Sequence, residues 1–287
     1  MAENLEKTDQ KTADIEAPET KENEPALTEQ GEIGELARIA IAAILLALVI
    51  RALFFEPFNI PSSSMKPTLL IGDYLFVNKP AYGYSKYSFP FGIAPIEGRI
   101  WAGEPKRGDV VVFARPTDTR IDFIKRIIGM PGDTVQVKKG LLYINGNLVP
   151  RDYVATRTVD EEGGVKQVMK EYIETLPGGA VHSIYEESDH ELLDNTEVFH
   201  VPEGHYFMMG DNRDNSQDSR VSSVVGYVPF ENFIGRADFL FYSTNGYARV
   251  YEPWKWPWTV RWSRIFMDID PVRLISDKEK AAGGSGE

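Results

Sequence analysis

The chain has 287 residues, a formal net charge of −12, no cysteine and only four histidines. Without cysteine there are no disulfides, thiolate metal sites or thiol nucleophiles. Residues 1–35 hold eleven acidic side chains against Lys7, Lys11 and Lys21, or −8 of the total, so the remaining 252 residues are nearly balanced and nucleic acid is not expected as a partner.

Residues 1–33 are acidic and aperiodic, too poor in apolar surface to offset their ordering entropy, and are expected to be a disordered tail. Leu36 to Phe55 then gives twenty residues in which only Arg38 and Arg51 are charged. A helix of that length spans about 30 Å, the thickness of a bilayer core. The pattern predicts one transmembrane helix over 34–56, with the lipid bilayer as partner through 36–55. The acidic leader and the lack of a small-residue cleavage pattern after the run fit a removed signal sequence poorly. Charges flanking the run do not set its orientation.

Beyond the helix the helical period disappears and short β-branched and aromatic runs take over. "DYLFVNK" (73–79), "DVVVFAR" (109–115), "DFIKRIIG" (122–129) and "DTVQVKK" (133–139) read as short strands, and "LLYINGNLV" (141–149) as a hairpin turning at Asn145-Gly146. "EVFHV" (197–201), "HYFMMG" (205–210), "VVGYV" (224–228) and "ADFLFYS" (237–243) continue the series. The expected fold is mainly β: an antiparallel catalytic domain in two parts (57–149 and 197–252), with a smaller β-rich subdomain inserted over 150–196. "WKWPWTVRW" (254–262) carries four of the five tryptophans within a segment 253–276. Interleaved Trp, Lys and Arg suit a membrane headgroup zone, although a core strand edge with cation–π pairs is a competing reading. Residues 277–287 read as a flexible tail.

Three chemistries could use a serine from "IPSSSMKPTLLIGDYLFVNK" (60–79). A Ser–His–Asp triad lacks any Gly-x-Ser-x-Gly elbow, and His182, His190, His200 and His205 read as surface or structural residues. Ser63-x-x-Lys66 matches the Ser-x-x-Lys of penicillin-binding enzymes in letters only. Pro67 is expected to hold Lys66 extended, so that the two side chains diverge, and the companion motifs are missing. The third option is a lysine from elsewhere, kept neutral by burial on an apolar strand face. In "DFIKRIIG", Lys125 shares a face with Phe123 and Ile127, and Arg126 shares the other with Ile124 and Ile128. The pattern does not say which charge points inward, but only a lysine can be deprotonated. On burial statistics alone, a solvated pair would be the ordinary reading. In "GDNRDNSQDSR" (210–220) a calcium loop fails, because Ser216 and Ser222 stand where glycine and glutamate are needed.

Taken in order after a membrane span, "PSSSMKPTLLIGD", "KRIIGMPGD" and "GDNRDNSQDSR" resemble bacterial type I signal peptidases, membrane-bound serine proteases that remove signal peptides from exported proteins. The resemblance runs from near Arg51 to about residue 242. It implies Ser64 as nucleophile, Lys125 as general base, and the Ser62 hydroxyl with the Ser64 N–H as oxyanion hole. It also implies Ser216 as the serine that hydrogen-bonds the lysine ammonium and Asp218–Arg220 as a supporting ion pair, with Met65 and Arg126 among the supporting residues. Ser63 stands where the family often has glycine. The resemblance further implies no metal or organic cofactor and cleavage after Ala-x-Ala-type sequences of preproteins delivered by the secretion machinery. It places the protein in the bacterial inner membrane as a single-pass protein, N-terminus cytoplasmic and catalytic domain on the periplasmic face. Other possibilities are a related Ser–Lys enzyme such as a pilus maturation peptidase, or a non-catalytic anchored β module. An autoproteolytic repressor would need a DNA-binding region in place of the anchor.

Overall fold

The structure, a computed structural model, describes residues 29–89, 92, 94–160, 166–245 and 251–274, with the side chains of 29–33 and Asp160 left out. The expected tails, at 277–287 and over most of 1–33, lie outside the described residues. Residues 29–33 already belong to α1 (Glu29–Leu53). Gly34–Leu53 of this helix, with a mean hydropathy of 2.4, is long and apolar enough to cross a membrane, and its apolar side chains are exposed. The helix ends at Leu53, not residue 56: Phe54 turns, and Phe55–Asn59 forms a strand, β1. Pro57 stops helical continuation there, and β1 is an edge strand, where a missing N–H is tolerated.

The strands follow as β2 (Asp73–Asn78), β3 (Val110–Ala114), β4 (Asp122–Gly129), β5 (Thr134–Lys138), β6 (Leu141–Ile144), β7 (Asn147–Leu148), β8 (Arg151–Asp160), β9 (Lys166–Thr175), β10 (Ala180–Glu186), β11 (Phe199–His200), β12 (His205–Met209), β13 (Val228–Pro229), β14 (Phe233–Ser243) and β15 (Val272–Arg273). Pairing between these strands is antiparallel. A seven-stranded sheet runs β1-β2-β14-β3-β4-β12-β13, and two four-stranded sheets run β11-β5-β6-β7 and β15-β10-β9-β8.

Residue types account for these positions. β2 alternates buried and half-buried side chains, as a strand covered mainly on one face does. The all-apolar "VVVFA" of β3 is buried throughout, between β14 and β4. One core packs Met65, Leu69, Leu75, Val77, Val112 and Leu240 together; another packs Phe113, Ile127, Met208 and Phe233. The hairpin turn at Asn145 (φ 52°) and Gly146 (φ 74°) joins β6 to β7 as expected.

Some boundaries differ from expectation. Only Val228 of "VVGYV" is a strand residue. The stretch 133–149 forms a sheet of its own with β11 instead of joining the large one. The inserted segment does build a sheet, β8–β10, but β15 from the C-terminal region completes it. The Trp-rich segment folds as short helical turns, among them α2 (Trp256–Thr259). Trp254, Trp258 and Trp262 are exposed, while Trp256 is half-buried against Tyr242.

Candidate active site

The serine-rich segment leaves β1 and returns as β2 through a compact loop. Ile60 donates to the Asp73 carbonyl and Gly72 to the Ile60 carbonyl, closing its base. Inside, Lys66 N–H bonds the Ser63 carbonyl and Leu69 N–H the Met65 carbonyl. The extended path expected at Lys66 is therefore replaced by a turn. The apolar core explains it, because only a turn delivers both Met65 and Leu69, each fully buried, to the same cluster. Met65 thus anchors Ser64 from below.

β4 brings the candidate base. Both Lys125 and Arg126 are buried, so neither face of the strand is solvated. Lys125 Nζ lies 2.7 Å from Ser64 Oγ and donates to the Ile124 carbonyl at 3.0 Å, and the residue is only 4% exposed. Burial pulls its pKa down from 10.5 to about 8; Asp218 and Asp211 oppose the shift and Arg220 adds to it. Ser62 Oγ is 3.4 Å from Ser64 Oγ.

The 210–220 segment holds this pair from the other side. Asn212 N–H donates to the Ser64 carbonyl (3.1 Å) and its side-chain amide to the Ser63 carbonyl (3.2 Å), while the Asn215 amide donates to Ser63 Oγ (2.9 Å). Gly210 packs so closely that a Cβ there would meet Ser216 Oγ and the Ser64 carbonyl oxygen. Asp218 accepts from both Arg220 Nε and Nη2 at 2.9 Å and from the Gly210 N–H. Burial alone would raise the Asp218 carboxyl, but Arg220 keeps it below the usual range. Ser216 Oγ is buried at this locus and makes no hydrogen bond to the amine. Arg126 grips Asp211 with Nε (2.8 Å) and Nη2 (2.6 Å) and donates to the Gly108 carbonyl (2.7 Å). This bidentate pair links β4 to the segment that holds Ser64.

Several partners were not visible in the sequence. Glu174 on β9 takes both terminal nitrogens of Arg213, with all these groups buried. His182 on β10 lies 3.5 Å from Glu174 and 3.9 Å from Asp211, and burial drives its pKa well below 6.5. Tyr185 N–H donates to the Asp211 carbonyl at 2.8 Å. The β8–β10 sheet is therefore bonded directly to the segment that holds Ser64.

A cavity of about 950 Å³ opens over Ser64 and Lys125. It is lined by Pro61–Ser64, Ile121–Lys125, Gln167, Glu191–Leu193, Asp214–Gln217 and Val221, and no histidine is among them. β12 pairs with β4 only from Arg126 onward, so residues 122–124 present a strand edge to this cavity with no further pairing among the described residues.

The family model described as signal peptidase, peptidase S26, matches residues 33–242. The chain is 44% identical over 244 residues to signal peptidase I of Rickettsia typhi, covering 79% of this chain and 90% of that one. It is 43% identical over 260 residues to signal peptidase I of Rickettsia prowazekii, covering 84% and 94% respectively. A crystal structure of a signal peptidase I from Enterococcus faecalis V583 matches at 26% identity with a TM-score of 0.27, covering 46% of this chain and 96% of that one. By the extent of the family match and the identity to these relatives, the chain belongs to the signal peptidase family, peptidase S26.

Proposed function

We propose that this signal peptidase cleaves preproteins with Ser64 as nucleophile and Lys125 as general base. The observation that carries the reading is the 2.7 Å approach of a buried amine, pKa about 8, to the Ser64 hydroxyl. The neutral amine takes the Ser64 proton as Oγ attacks the carbonyl at the end of the signal peptide. The protonated amine then gives that proton to the leaving amino group, and an acyl-enzyme remains on Ser64. Water, deprotonated by Lys125, releases the signal peptide and restores the serine. The Ser64 N–H and the Ser62 hydroxyl receive the developing oxyanion; a donor of this type contributes about 3–4 kcal/mol. Asp218, held by Arg220, and Asp211 stabilise the amine when it is charged, and Ser216 Oγ is not bonded to it.

The substrate adds a strand to the open edge at 122–124, and small side chains at positions −1 and −3 fit shallow apolar pockets beside Ile121, Phe123 and Ile124. Gly34–Leu53 anchors the enzyme in the inner membrane, with the N-terminus cytoplasmic and the β domain on the periplasmic face, where secretion delivers preproteins. The exposed Trp254, Trp258 and Trp262 rest in the headgroup zone. The test is single-turnover cleavage of a preprotein by the full chain in detergent. Ser64→Ala and Lys125→Ala should each remove roughly three or more orders of magnitude in rate, and retained cleavage by either variant would defeat the assignment.

A further inference from the structure

The peptide between Ser63 and Ser64 is trans, so its carbonyl and its N–H point in opposite directions. The direction of the carbonyl therefore decides where the Ser64 N–H is aimed. The Ser63 carbonyl accepts two bonds, from the Lys66 N–H at 3.0 Å and from the Asn212 side-chain amide at 3.2 Å. Those bonds use both of its lone pairs. Asn212 is fully buried, and its own N–H holds the Ser64 carbonyl at 3.1 Å. One asparagine thus grips the carbonyl on each side of the Ser64 Cα.

The same peptide has a second hold. The Ser63 hydroxyl accepts from the Asn215 side-chain amide at 2.9 Å, and both residues line the cavity beside Ser64. A glycine at 63 would carry no such hydroxyl and would leave the backbone freer to turn. Rotation of the peptide about its flanking Cα atoms would swing the Ser64 N–H off the oxygen it is to meet, and each of these bonds resists that rotation. Lys125 stands outside the set: it donates to Ser64 Oγ and the Ile124 carbonyl, not to either asparagine.

We propose that Asn212 and Asn215 are positioning residues of the oxyanion site. Asn212 acts through the Ser63 carbonyl and Asn215 through the Ser63 hydroxyl, and together they aim the Ser64 N–H at the developing charge before substrate arrives. This rests on the assignment of Ser64 and Lys125 above. The effect belongs to the transition state, and neither substrate binding nor the base is involved. The experiment is cleavage of one preprotein by the full chain in detergent, with kcat, KM and the pH midpoint read for Asn212→Ala, Ser63→Ala, Asn215→Ala and the Ser63→Ala, Asn215→Ala double variant. Asn212→Ala should lower kcat by roughly 10²-fold, with KM within about threefold of the parent and the pH midpoint unmoved. Ser63→Ala and Asn215→Ala should each lower kcat by about threefold to tenfold, and the double variant should be no slower than the slower single one. Asn215 is exposed, so its truncation keeps the fold, and the Ser63–Asn215 cycle decides the matter even where Asn212→Ala fails to fold. A parent-like kcat in folded Asn212→Ala, a loss carried by KM, or a shifted pH midpoint overturns the proposal, as do single losses that multiply in the double variant. Cleavage by Ser64→Ala would instead overturn the catalytic assignment beneath it.

Discussion

Lys125 and Ser64 meet at 2.7 Å across 61 positions of sequence, and the amine is covered almost entirely by protein. Burial lowers the amine's pKa to about 8, so its neutral form is the minority below that pH. Single-turnover cleavage should therefore rise about tenfold per pH unit below the midpoint and level off above it. A midpoint near 6.5 would point to an imidazole and exclude Lys125 as the base.

The same shift acts on stability. The unfolded amine titrates near 10.5 and the folded one near 8, so the unfolded state binds more protons between them and stability rises with pH across that window. Below about pH 8 the burden on the fold is complete, about 3 kcal/mol. Lys125→Met should be more stable than the parent at pH 7 in urea unfolding, and the advantage should fade towards pH 10.5.

Ser62→Ala removes a hydroxyl 3.4 Å from Ser64 Oγ without touching the 2.7 Å approach of the amine. Cleavage should slow by roughly 10² to 10³-fold with the pH midpoint unchanged. A moved midpoint would mean that Ser62 tunes the base and does not serve the oxyanion.

Gly210→Ala would drive a Cβ to 2.5 Å from the Ser64 carbonyl oxygen, backbone that cannot rotate away. The turn carrying Ser64 must move, and a displacement of about 1 Å can cost about 10²-fold in rate. Cleavage by this variant should fall by that order; parent-like kinetics would show the turn to be more forgiving than its packing.

Glu174→Ala leaves the Arg213 guanidinium buried without its carboxylate. Destabilisation of about 3–5 kcal/mol is expected in urea unfolding, with activity falling alongside. Full stability would mean that the pair does not fasten the subdomain.

Much of the architecture follows from short-range pattern. Short β-branched and aromatic runs located β2, β3 and β12, and Asn145-Gly146 located its hairpin. The three motifs implied Ser64 and Lys125 only through their resemblance to the signal peptidase family; residue chemistry alone chose neither among the three adjacent serines nor a buried over a solvated lysine. Period could not choose between Lys125 and Arg126, and the structure shows why: both sides of β4 are covered, the one by the Ser64 loop and the other by Asp211. Glu174, His182 and Asn212 were hidden because each acts through a partner distant in sequence, as Glu174 does through Arg213 at a separation of 39. The end of α1 was misplaced by three residues because Phe54 and Phe55 are as apolar as the helix they follow.

The β8–β10 sheet is fastened where Glu174 meets Arg213 and Tyr185 bonds Asp211. Its outer strand residues, such as Val154 and Val168, face solvent. Mutational freedom is thus graded along one hairpin. A fluorophore or affinity handle attached at the exposed Val154 would ride on a working enzyme, whereas the same handle just after Tyr185 would tug on the support of Ser64.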